Sequence, residues 1–172
     1  HGTEPEYRIG IWRVLTRASH DPTERAEWTG KILAVFLDPG APDRLHAVEA
    51  EHLELYAAEG YAACLAQAAQ AAEATLVLVP ATIMGKDLAA RATAKLDSAC
   101  ASDLVEIDVE ADGTLRGKRP AYAGKVIAQV AIPQARPAVA TLRPNAFAAT
   151  ELDAPRDVEV LAAECPLSAD QL

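Results

Sequence analysis

Apolar residues along this chain change period several times, and the changes mark its elements. Ile9 to Leu15, Ile32 to Leu37 and Thr75 to Val79 are short apolar runs; Asp38-Pro39-Gly40 stops the second and Pro80 stops the third. A continuous apolar run closed by turn residues is the pattern of a strand buried on both faces. After Glu59-Gly60 the spacing lengthens. Tyr61, Leu65, Ala68 and Ala72 recur at steps of three and four, one face of a helix. Leu88, Ala92 and Leu96 form a second stripe of the same kind, with Asp87 placed to cap its helix. Strands alternating with helices through short joins predict a parallel sheet with crossover connections.

Beyond Ser98 the period falls to two. Val105, Ile107 and Val109 alternate with Glu106, Asp108 and Glu110, a half-buried strand with an acidic outer face. Asp112-Gly113 supplies a hairpin turn, and Lys125 to Ile132 and Ala138 to Leu142 read as further strands broken by Pro133 and Pro137. Val158 and Val160 mark a last, weaker strand. The expected fold is α/β: a mostly parallel, doubly wound sheet carrying an antiparallel strand extension along one edge. Residues 1–172 read as a single domain without repeat or linker.

Composition narrows the functional classes. Of the 172 residues 51% are hydrophobic but only 5% aromatic, and alanine supplies much of the apolar count, so elements approach closely and bury little area per residue. A net charge of -9, with Lys118, Arg119 and Lys125 as the densest basic group, argues against nucleic acid. No apolar run reaches the length of a membrane span, and the first residues lack a leader's charged-then-apolar pattern, so a cytoplasmic, non-inserted protein is expected. Cys64, Cys100 and Cys165 are odd in number and far apart, which argues against disulfide or metal roles; Cys64 reads as a small core hydrophobe.

The junction from Val79 to Leu88 is where such a sheet would bind a ligand, at the carboxyl ends of its strands. Thr82, Gly85 and Lys86 are the candidate anion or nucleotide loop: glycine admits close backbone approach, lysine offers a cation, and a helix N-terminus presents N–H groups. The competing reading makes Gly85 a turn former and gives the N–H groups to the capping Asp87. No Gly-x-x-x-x-Gly-Lys-Ser/Thr or Gly-x-Gly-x-x-Gly motif is present. His46, Glu49 and His52 lack the four-residue spacing of a zinc helix and read as surface groups, and no nucleophile elbow exists. Arg119, Lys125 and Arg143 are suited to an anion surface or, preferably, to ion pairs.

Three segments carry a resemblance: Pro80 to Arg91, Arg119 to Lys125 and Thr141 to Phe147. With Leu96-Asp97-Ser98, Ser102-Asp103 and Asp112-Gly113 between them, the chain from about Tyr56 to Phe147 resembles the N-terminal domain of an electron-transfer flavoprotein alpha subunit. Pro80, Ala81, Thr82, Gly85, Lys86, Asp87 and Arg91 match that family's strand-to-helix loop. Two departures stand out. Thr16 to Lys31 is short for the family's first helix, and the chain stops at Leu172, with no counterpart of the residues that hold FAD in relatives.

The resemblance implies an adenine-nucleotide-hydrolase-like fold and a scaffold role without a catalytic site. Relatives pair with a beta subunit that often holds AMP, bind FAD in a following alpha domain, and carry electrons from flavoprotein dehydrogenases. The alternative, from a different class, is a stand-alone AMP-type nucleotide-binding or sensing module using the Thr82 to Asp87 loop.

Overall fold

The computed structural model describes residues 9–13, 31–37, 43–53, 55–133, 137–147 and 158–172. Strands β1 (Ile9–Arg13), β2 (Lys31–Leu37) and β3 (Asp43–Glu49) precede helix α1 (Ala58–Ala71). Strand β4 (Leu76–Pro80) leads into helix α2 (Ile83–Lys95), followed by β5 (Cys100–Leu104) and β6 (Glu106–Val109). Then come β7 (Leu115–Ala121), β8 (Val126–Ile132), β9 (Ala138–Leu142) and β10 (Val158–Ala163).

Among the described residues seven strands form one sheet in the order β10-β3-β2-β1-β4-β9-β5. The β1/β4, β4/β9, β5/β9 and β10/β3 pairs are parallel, whereas β2 runs antiparallel to both its neighbours. The sheet is therefore mostly parallel with one reversed strand. The alternation of strand and crossover helix expected early in the chain does not hold at β2 and β3. Only five residues separate Leu37 from Asp43, too few for a parallel crossover, so the two strands pair as neighbours in opposite directions. The predicted continuation of β1 through Val14 and Leu15 lies outside the described residues, as does the Thr16 to Gly30 stretch.

Two cores sit on opposite faces of this sheet, as the two-residue period of β4 requires. Val77 and Val79 join Val139, Leu65, Leu88 and the alanines Ala62, Ala68, Ala69, Ala89 and Ala92 in the core beneath the two helices. Alanine at these positions lets α1 and α2 pack closely side by side. Leu76 and Leu78 face the other way, against Leu104, Leu115, Ile132 and Ala140. That second core is closed by β6, β7 and β8, the antiparallel strands expected after Ser98. They hydrogen bond among themselves as a separate three-stranded sheet laid over the face, not as added strands along the edge. The link is direct: β5 pairs with β9, and one residue later Val105 donates its N–H to the Lys118 carbonyl of β7 at 2.8 Å.

Candidate functional site

The parallel strands β4, β9 and β5 deliver their carboxyl ends to one place, where Thr82, Gly85 and Lys86 also lie. The strand ends are tied across: Ala81 donates its N–H to the Leu142 carbonyl at 2.7 Å, and Arg143 donates to Leu104 at 2.8 Å. Asp103 donates its N–H to the buried Thr141 Oγ1 at 2.7 Å.

Helix α2 begins under tight local control. Thr82 is its N-cap, and the hydroxyl oxygen accepts from the Gly85 N–H at 3.0 Å. Asp87, read from the sequence as the cap, lies a turn inside the helix instead. Its carboxylate accepts from the Tyr56 hydroxyl at 2.7 Å and from Arg91 Nε at 2.9 Å. Thr82 outcompetes it because a side chain reaches free N–H groups only from just outside the first turn. Gly85 is required by space: a Cβ there would lie 1.9 Å from the Pro80 carbonyl oxygen. No other residue fits without moving the strand end or the helix.

Lys86 turns to Asp103, its Nζ 3.6 Å from Oδ2. The same carboxylate takes two bonds from Arg143, Nε to Oδ1 at 3.1 Å and Nη2 to Oδ2 at 2.7 Å. The forked, shorter pair dominates; a longer ammonium contact on a half-exposed lysine contributes well under about 1 kcal/mol. Arg143 first, helped by Lys86, holds the Asp103 carboxyl below the usual carboxylate range. Asp103 is also a non-glycine residue at φ +63°, where β5 breaks register against β9. Thr141 and Arg143 grip it from both sides and hold that conformation.

A second network fastens the helices. Arg91 binds Glu59 at 2.6 Å as well as Asp87, and Lys95 meets Glu59 at 3.1 Å, so the start of α1 is bound along α2. Burial first, then the adjoining Asp87 carboxylate, pushes the Tyr56 hydroxyl up. Of the three cations singled out in the sequence, Arg143 is in an ion pair and Arg119 donates to Ser102 Oγ at 3.1 Å. Lys125 sits exposed in the β7–β8 turn.

That turn is built differently. Tyr122 (φ +50°), Ala123 (φ +56°) and Gly124 (φ +85°) are all left-handed, and a Cβ on Gly124 would meet nothing within 4 Å. Tyr122 is 81% exposed, beside the exposed Val126 and Ile127. The histidines separate: His46 is on β3 and buried, contrary to the surface position expected, because it shares a face of the strand with Val48. His52 lies in the short 3-10 helix Glu51–Leu53. Among the described residues no three His, Cys, Asp or Glu side chains gather as a metal site, and no helix is long and apolar enough to cross a membrane.

What fold and site define is an α/β domain with a mostly parallel sheet, in which the strand-end loop is hydrogen bonded and ion paired within the domain. Residues 28–166 match the electron transfer flavoprotein domain family, and the chain belongs to that family. Electron transfer flavoprotein subunit alpha of Thermoanaerobacterium thermosaccharolyticum is 31% identical over 69% of this chain and 36% of its own length. The subunit of the same name from Clostridium acetobutylicum is 30% identical over 85% of this chain and 41% of its own. Protein FixB of Clostridium saccharobutylicum is 32% identical over 64% of this chain and 34% of its own. The chain thus spans little more than a third of these relatives.

Proposed function

We propose that this chain serves as the scaffold domain of an electron-transfer flavoprotein alpha subunit. It supports an alpha/beta heterodimer that takes electrons from flavoprotein dehydrogenases through FAD, and it has no catalytic site of its own. The observation that carries this reading is the state of the strand-end loop. Thr82 Oγ1 holds the Gly85 N–H, Lys86 is drawn to Asp103, and Arg143 is forked onto the same carboxylate. A nucleotide phosphate would need those cations and would face the Asp103 carboxylate among them. On this reading the flavin belongs to another domain of the assembly and AMP to the partner. The motif residues work as ties between strand ends, which is what a rigid support requires.

The exposed tip of the β7–β8 hairpin suits the same role. Tyr122, Val126 and Ile127 stand in solvent at the end of a hairpin whose own turn hydrogen bonds hold its backbone, and such an exposed apolar group suits a surface that another protein covers. The test is co-expression with an electron-transfer flavoprotein beta subunit and purification through a tag on this chain. Recovery of the beta subunit in equal amount is the expected result; a beta subunit that washes away overturns it. Calorimetric titration with AMP, ADP and FAD addresses the nucleotide-module reading, with no binding heat expected from the chain alone.

A further inference from the structure

The chain beyond β10 turns back onto α1. Gly60, in the first turn of that helix, has the side chain of Leu172 against it, with a Cβ at Gly60 falling 3.0 Å from Leu172 Cδ2. Cys64 lies four residues further on, on the same stripe of the helix. Cys165 packs on the core cluster to which Cys64 belongs. Both ends of the segment from Cys165 to Leu172 thus return to the core cluster and helix that hold Cys64.

We propose that Cys64 and Cys165 are a disulfide-forming pair, an oxidation site that accepts low-molecular-weight disulfides and fastens the C-terminal segment to helix α1. All three cysteines are free thiols here; Cys64 is buried and Cys165 half-buried. Access fixes the order of events. The Cys165 thiolate attacks a sulfur of glutathione disulfide, forming a mixed disulfide and releasing one glutathione thiolate. Cys64 then gives up its proton to solvent, and its thiolate displaces the second glutathione from Cys165. Two protein thiols and one glutathione disulfide become one protein disulfide and two glutathiones. Burial first, and then the neighbouring Cys165, pushes the Cys64 thiol up, so closure is limited by thiolate and runs about tenfold faster at pH 8 than at pH 7. Cys100 cannot take part. It is on β5, at the opposite edge of the sheet from β10, six strand spacings or roughly 29 Å away. It serves as the internal control.

The full chain is incubated with excess glutathione disulfide at pH 8, unfolded in acid, alkylated and digested with trypsin. Residues 45–86 and 157–172 are expected as one reducible cross-linked pair, two hydrogens lighter than the separate peptides. A Cys64→Ser variant should instead stop at a stable glutathione adduct on Cys165. Thermal melting of the oxidised wild-type chain should rise on the order of 10 °C and return on reduction. A glutathione adduct persisting on wild-type Cys165, a link through Cys100, or Cys64 and Cys165 both remaining alkylatable would each overturn the proposal.

Discussion

The strand-end cluster around Asp103 and the β7–β8 hairpin tip are both motif segments, and both carry left-handed non-glycine residues. They differ in what holds those residues. Asp103 is fixed by Thr141, Arg143 and Lys86, and the Gly85 turn beside it has no room for a methyl group. Tyr122 and Ala123 have exposed side chains, and the neighbouring Gly124 has open space where a Cβ would go. Strain that is gripped from within belongs to the domain's own architecture. At the hairpin the left-handed pair belongs to the turn itself, closed by the Gly124 N–H on the Ala121 carbonyl at 3.0 Å, and the side chains are left to solvent. The same family motif thus divides into residues that build the domain and residues that the domain presents.

The same methyl group added in both places should act very differently on the two regions. Gly85→Ala drives a Cβ into the Pro80 carbonyl and should cost on the order of 3 kcal/mol in urea unfolding. Gly124→Ala meets no atom and should cost about 1 kcal/mol, from backbone conformation alone. Equal losses would mean that the strand-end region is no tighter than the hairpin.

Asp103→Asn comes next, with a loss of about 1–2 kcal/mol near neutral pH as Arg143 loses its forked carboxylate. Its pH dependence has a definite sign. The folded pKa of Asp103 is depressed, so its contribution is complete above the ordinary aspartate value of about 4. It disappears as pH falls through the depressed value. Melting curves of wild type and Asp103→Asn should therefore converge as pH is lowered from 7 towards 2. A constant gap across that range would assign the loss to packing. Thr82→Ala is smaller, about 1 kcal/mol for a lost N-cap, and urea unfolding of that variant checks it.

The sequence made the elements legible wherever periodicity was strong. The β4 strand and the alternating β6 were expected within a residue or two of where they lie; both helices were expected from their apolar stripes, but α1 starts at Ala58, ahead of Glu59-Gly60, and α2 at Ile83, ahead of Asp87. Side-chain logic was less legible because it depends on pairs distant in the chain. Asp103 and Arg143 are forty residues apart, and nothing local to Ser102-Asp103 says which cation it will meet. Asp87 looked like a cap because carboxylates favour helix starts, yet Thr82 stood one turn earlier and took the N–H. His46 looked solvated among charged neighbours, while strand alternation turned it inward with Val48. Cys64 and Cys165, about a hundred residues apart, gave no spacing signal; a parallel β10/β3 pair brings the second towards the first. The overlay of β6, β7 and β8 was hidden for a related reason: alternation reveals that a strand has a buried face, not which surface will cover it.

The smallest stability change should accompany the largest change in association. Tyr122→Asn keeps a residue that tolerates the left-handed region and removes an exposed ring. Folding stability should hold within about 0.5 kcal/mol of wild type, as for surface substitutions in general. Capture of a beta subunit by the tagged chain should nonetheless fall, because an exposed ring that packs on nothing in its own fold has more to gain from a partner. Gly85→Ala supplies the opposite pattern, weakened folding with capture retained in proportion to the folded fraction. If Tyr122→Asn left capture untouched, the hairpin would be a strained turn with no outward role, and the partner surface would have to be sought elsewhere, beginning with the exposed Ile83 at the start of α2.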